Sequence, residues 1–349
     1  MTARNQLNPH EEAPSKTDVS MIFSLLFWNE PSPSEHLASV RTTIKAATLE
    51  TWLNQSVVQN PNTTGAVALV DVPGQIDWLA AVGSEDTGQQ LKMTRNSRFA
   101  FSTLAEPMIA TLVLQLVENN KLSLQEPVCN YLDEHLLDLL TDGYGRELTI
   151  LQLLNHNSGI CDYRNLPGTE APVDLMELIQ ACLEHGNPKA APGTECSPVA
   201  TNYALLGLVL EAVEGVHVRE LLQRRILNPL GMHQTEIGVD PILGMEGTVA
   251  DLRRFLHALA SGILLQSDTT LQQRLSASCG SYGLGIQHFG LDSHMGKVWG
   301  AIGTNPEFSI YMMYAEKYDA ILVYGARHFY GPLHYPRFFS DLVLNHLTL

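Results

Sequence analysis

Basic side chains are scarce in this sequence. Lysine and arginine number 21 against 37 aspartates and glutamates, a formal net charge of -16. Such a balance repels phosphate backbones and anionic lipid surfaces, so nucleic-acid and membrane-surface binding are not expected, and the scattered acids read as a solvated surface. Cysteine is also sparse. The five residues Cys129, Cys161, Cys182, Cys196 and Cys279 contain no C-x-x-C pair and no zinc-like spacing with histidine. They are expected to be free thiols in a reducing compartment, with no metal and no cofactor. Long apolar runs are missing too. MIFSLLFW (Met21 to Trp28) is far too short to span a bilayer, and no basic region followed by an apolar run and cleavage site is read as a secretory signal. A cytoplasmic location without a membrane span is the expectation. Charged residues make up 17% and hydrophobic residues 45% of the 349, which excludes wholesale disorder and allows a large core.

What is present begins with a polar arm. Residues 1–38 are expected to be partly disordered, with Met21 to Trp28 packing on the domain or meeting a protein partner. HLASVRTTIKAATLETWLNQSVV (His36 to Val58) has helical spacing. GAVALVDV (Gly65 to Val72), the turn PGQ and IDWLAAVG (Ile76 to Gly83) read as a hairpin. The stretch Phe99 to Val128 organises the rest. Ser102 or Thr103 can cap a helix there, Glu106 and Pro107 fall in its first turn, and Met108, Ile109, Leu112, Leu116 and Val117 recur at helical spacing before Asn119 and Asn120 end it.

FSTLAEPMIATLVLQLVENNKLSLQEPV resembles the serine β-lactamase and penicillin-binding-protein superfamily, in its class C β-lactamase and esterase branch. Six further phrases carry the same resemblance: LTILQLLNHNSGICDY, APGTECSPVATNYALLG, NPLGMHQT, EGTVADLRRF, SYGLGIQHFG and VWGAIGTNPEF. It covers about residues 40 to 349. The family places its acylated serine where Thr103 stands and its lysine, one helical turn on, where Glu106 stands. A one-residue slip would make Ser102 the nucleophile, but Ala105 would then replace the lysine. The family tyrosine and asparagine fall on Pro198 and Ala200. The basic residue of the far-wall strand falls on Ala301, followed by Ile302, Gly303 and Thr304. By the same resemblance Ser102, Tyr163 and Asn202 complete the lining of the cleft. His156, Ser158 and Gly159 read as a helix-end turn, and Tyr203 as framework.

The resemblance implies an α+β fold of the β-lactamase/transpeptidase type. A central antiparallel sheet from residues 39–98 and 245–349 is flanked by helices, with a mostly helical region, 99–244, inserted. Four replaced catalytic positions leave Thr103 without a lysine. Glu106 could serve as its base, but the carboxylate would repel a developing oxyanion, and no nearby cation is apparent in the sequence. Non-catalytic binding of a small molecule or partner is therefore the leading expectation. The alternative is a repurposed isomerase, cyclase, dehydratase or lyase with Glu106 as acid/base, possessing no acyl-enzyme. Residual hydrolysis or transacylation through Thr103 comes third.

Overall fold

The hairpin forms as read. β1 (Thr63–Val72) pairs antiparallel with β2 (Ile76–Gly83), Val70 facing Trp78 and Leu69 facing Leu79. The computed structural model describes residues 44–86, 88, 90–166, 174–276, 279–289, 296–328 and 337–347. The N-terminal arm, Met21 to Trp28 and the first part of the expected His36 to Val58 helix lie outside the described residues. The rest of that helix is α1 (Ala46–Val58).

After β2 the chain leaves the sheet for a helical region. It returns as β6 (Gln287–His288), β7 (Val298–Thr304), β8 (Phe308–Ala315) and β9 (Ala320–His328). The order is β2-β1-β9-β8-β7-β6, antiparallel throughout. β1 and β9 lie side by side, with Leu69 opposite Val323. Because side chains alternate across a strand, each central strand feeds two cores. Val67, Leu69, Ile310, Met312, Ile321 and Val323 enter one. Ala66, Ala68, Val70, Tyr311, Leu322 and Tyr324 enter the other. That explains why these strands are apolar almost without interruption rather than alternating.

The second core lies under α1 and α10 (Arg337–Leu347), where Phe339 stacks on Trp78 with ring centroids 6.0 Å apart. The first core is the larger and contains α2 (Glu106–Glu118). Every residue of α2 from Glu106 to Leu114 is buried, so this helix has no polar face. Fully burying one of its leucines contributes about 2 kcal/mol. Around it lie α3 (Glu134–Thr141), α4 (Ile150–Leu154), α5 (Leu175–His185), α6 (Thr201–Glu214), α7 (Val218–Leu222), α8 (Val249–Ala260) and α9 (Asp268–Leu275). Thr149 and Gln152 close a capping box at α4, and Asp174 and Glu177 close one at α5. A three-stranded sheet, β3 (Phe99–Ala100), β5 (Met245–Gly247) and β4 (Glu236–Ile237), leads into the turn before α2.

Two expectations need correction. No side chain caps α2: it is preceded by a 3-10 turn, Ser102–Ala105, and both candidate hydroxyls are engaged by strand carbonyls instead. Nor are all five cysteines free, because Cys196 and Cys279 form a disulfide across 83 positions. Cys129, Cys161 and Cys182 are free. Local spacing carries no trace of such a pair, since only the tertiary fold brings the segment before α6 to the turn after α9.

Candidate active site

The site is built on the turn that enters α2. The amide of Phe101 donates to Met245 O at 2.7 Å, tying the turn to β5. Ser102 then takes φ +50, a left-handed conformation that is uphill for a serine by about 1 kcal/mol or more. This aims two successive hydroxyls at one strand. Ser102 Oγ donates to Thr304 O at 3.3 Å and Thr103 Oγ1 donates to Ile302 O at 2.5 Å. Such close approach requires Gly303. A Cβ there would stand 2.1 Å from Phe101 O and 2.6 Å from Leu104 Cδ1.

Glu106, the first residue of α2, is 8% exposed. Its Oε2 lies 3.4 Å from Nε2 of His156, a residue 2% exposed and with φ +61. The imidazole sits between two tyrosine rings, Tyr203 at 5.3 Å and Tyr282 at 5.1 Å, the second edge-on. Val199 N–H donates to its Nδ1 at 3.4 Å. Asn202 Nδ2 stands at the same distance, its amide orientation fixed by Ser158 Oγ donating to Oδ1 at 2.6 Å. This network assigns the acceptor role to Nδ1 and hence the proton to Nε2, which faces the carboxylate. Nε2 has ion-pair proximity to Glu106 but not hydrogen-bond alignment.

A cation is also present, contrary to the expectation. Arg164 follows the NHNSGICDY phrase in a 3-10 turn capped by Asp162, where its Nε donates to both Asp162 oxygens at 3.0 and 2.8 Å. Its Nη2 approaches Pro198 O at 3.4 Å. Burial opposes the guanidinium charge, but Asp162, with a smaller contribution from Glu106, outweighs it and raises the pKa.

The remaining expected site residues divide into two groups. Thr103, Pro198, Ile302 and Thr304 are half-buried and Ser102 and Ala301 are 7% exposed, and Ser102 and Thr103 of this group meet Thr304 and Ile302 on β7. Tyr163, Ala200 and Asn202 are enclosed, at 1%, 0% and 0% exposure, and do not line an open cleft. Tyr163 OH donates to Asp240 Oδ2 at 3.3 Å, and burial followed by the Asp240 charge pushes its pKa well up. Asn202 supports His156 instead. Tyr203 is framework, its hydroxyl donating to Leu154 O at 2.8 Å. Beside Glu106 the structure adds His156, which the sequence alone reads as part of a helix-end turn, and Arg164, which it does not single out; Tyr282 packs on His156. Gly159, three positions after His156 in the same phrase, has φ +73. Among the described residues no group of three or more His, Cys, Asp or Glu could hold a metal ion, and no helix is long and apolar enough to cross a membrane.

An antiparallel sheet with a helical insertion, and a hydroxyl-bearing turn at the N-terminus of a buried helix beside strand β7, define a β-lactamase/transpeptidase-like protein. The Beta-lactamase family model matches residues 53–336, and the chain belongs to that family. It is similar to Penicillin-binding protein 4 of Amycolatopsis lactamdurans, 32% identical over 171 residues, covering 49% of this chain and 44% of that one. It is also similar to Esterase EstB of Burkholderia gladioli, 29% identical over 199 residues, covering 54% and 50%. The chain thus spans about half the length of these relatives. Among solved structures, a D-stereospecific amidohydrolase from Streptomyces sp. superposes with a TM-score of 0.72 at 22% identity, covering 85% of this chain and 98% of that one.

Proposed function

We propose that the chain is a pseudoenzyme of this family, which keeps the cleft beside Thr103 and Glu106 for binding a small molecule without forming an acyl-enzyme. The observation that carries this is the placement of the two hydroxyls and the carboxylate. Thr103 gives its proton to a backbone carbonyl, and Glu106 faces His156. No side chain among the described residues is hydrogen-bonded to the Thr103 hydroxyl as a base, which a weak oxygen nucleophile requires. The resemblance places lysine, tyrosine and a strand cation at Glu106, Pro198 and Ala301, none of which supplies the same proton transfer here. The relatives' names include an esterase and a penicillin-binding protein, so esters and penicillins are the first ligands to screen. A protein partner reached through residues 1–38 belongs to the same reading, as does a cytoplasmic location.

The Glu106–His156 pair supports a second reading. A carboxylate facing an imidazole N–H is a proton-transfer unit, suited to isomerisation, cyclisation, dehydration or elimination in a biosynthetic sequence. Glu106→Gln separates the two. The protein is incubated with a metabolite extract of its source organism, and bound and altered compounds are identified by mass spectrometry. Under the binding reading, wild type enriches a compound unchanged and Glu106→Gln alters only its affinity. Turnover by wild type that falls about a hundredfold or more in Glu106→Gln would replace the binding reading with acid/base catalysis.

A further inference from the structure

We propose that the Cys196–Cys279 disulfide is a thiol-operated clamp that holds His156 against Glu106. Two segments distant in sequence touch the His156 imidazole or its backbone, and the disulfide joins them. On one side, Ser197, next to Cys196, donates its amide to His156 O at 2.9 Å, and Val199 donates to Nδ1 at 3.4 Å. On the other, Cys279 and Tyr282 exchange backbone hydrogen bonds of 3.3 and 3.0 Å, which closes a tight turn. That turn presents the Tyr282 ring edge-on to His156 at 5.1 Å. The bond therefore braces both the contact that fixes the imidazole tautomer and the ring that fixes its tilt.

The bond is also reachable. Cys196 is exposed while Cys279 is 2% exposed. Attack by an incoming thiolate is therefore placed on Cys196, the exposed residue, with the sulfur of buried Cys279 as leaving group. A cellular or added dithiol supplies the chemistry. Its thiolate bonds to Cys196 Sγ and expels Cys279 as thiolate. Its second thiol then closes on the first, releasing Cys196. Two electrons pass to the protein sulfurs, both of which end as thiols, and the dithiol ends as a cyclic disulfide. Opening the Cys196–Cys279 bond frees a span of 83 positions and leaves the segment before α6 and the Cys279–Tyr282 turn joined only by non-covalent contacts.

The functional consequence, altered ligand affinity at Glu106, rests on the reading of the cleft given above. The clamp itself does not, and its test is made on the protein alone. Full-length protein is purified without reductant and its thiols are titrated in denaturant. Three of five should react before treatment with a dithiol and five after it. Hydrogen exchange is then compared in the oxidised and reduced wild type. Reduction should speed exchange about tenfold or more in 156–163, 197–203 and 279–286, leave β1 and β9 unchanged, and reverse on reoxidation. His156 ring-nitrogen NMR signals, identified by their loss in His156→Gln, should move from a fixed Nε2–H tautomer toward an average of both. Cys196→Ser should reproduce the reduced state; reduction of the wild type gives the same readout should that variant fail to fold. Five reactive thiols before reduction would overturn the proposal. So would unchanged exchange in these segments after it. Turnover lost in Glu106→Gln, the outcome that overturns the cleft reading, would leave the clamp standing.

Discussion

Glu106 Oε2 and His156 Nε2 stand 3.4 Å apart, on elements separated by 50 positions, and the imidazole is held there mainly by contacts to its other nitrogen. His156→Leu removes the acceptor used by Val199 N–H and the neighbour of Asn202 Nδ2, leaving buried donors unmatched. Each such group costs about 1–3 kcal/mol. The variant should lose roughly 2–4 kcal/mol in urea unfolding, while Glu106→Gln should lose much less. Equal losses for the two would show that the pair itself, not the loop contact, stabilises the region.

Covalent acylation should be absent. Incubation with penicillins or a chromogenic cephalosporin should give no mass increase on the intact protein and hydrolysis at background. Thr103→Ser should behave the same way, because the serine hydroxyl would meet the same Ile302 carbonyl and gain no base. A stable adduct on residue 103 or Ser102 would refute the pseudoenzyme reading.

Gly303→Ala tests the contact between strand and turn. The added methyl would fall 2.1 Å from Phe101 O, so β7 and the Ser102–Ala105 turn must separate. Overpacking of this kind costs about 1–3 kcal/mol. A matching fall in denaturation midpoint is expected, along with loss of the Thr103 to Ile302 hydrogen bond in a crystal structure. Wild-type stability would mean the turn gives way freely.

Asp240 gives a pH signature. Burial raises its carboxyl pKa above the ordinary 3.8, despite hydrogen bonds from Ile242 N, Leu243 N and Tyr163 OH that act the other way. A raised folded value means the folded chain holds the proton more tightly. The contribution to stability is therefore complete below pH 3.8 and is lost as pH rises through the folded value. Asp240→Asn stays neutral throughout. Its melting temperature relative to wild type should climb as pH rises from 3 to 7, then level off. A flat difference across that range would mean the carboxyl is not perturbed.

The fold was legible because it depends on patterns that are local. GAVALVDV and IDWLAAVG state a hairpin by two short apolar runs with the turn PGQ between them, and LVLQLVENN states a helix and its end. The family phrases add the order of these elements. For the candidate site, the family phrase points to Thr103 and Glu106 but not to the partners that the fold gives them. His156 lies in a phrase that is fully accounted for as a helix-end turn, and its +61 φ supports that role. Nothing local to it reveals that its free nitrogen will meet an acid 50 positions upstream. Tyr163 and Asn202 show the opposite error. Their side chains could line a cleft, but Asp240 and Ser158 bind them inside the protein. The disulfide was illegible for the same reason as the His156 contact.

The pairing of β1 with β9 has a consequence in time. Asp71 lies opposite Ile321, so the hairpin emerges from the ribosome long before the strand that will cover its open edge. At roughly 5–20 residues per second, the roughly 250 residues between them take on the order of tens of seconds to synthesise. Throughout that interval Val67 to Val70 offer an unpaired, apolar backbone edge to any neighbouring nascent chain. Codon changes that slow translation between β2 and β7 should therefore lower the soluble yield of this protein, and supplying a holdase chaperone should restore it.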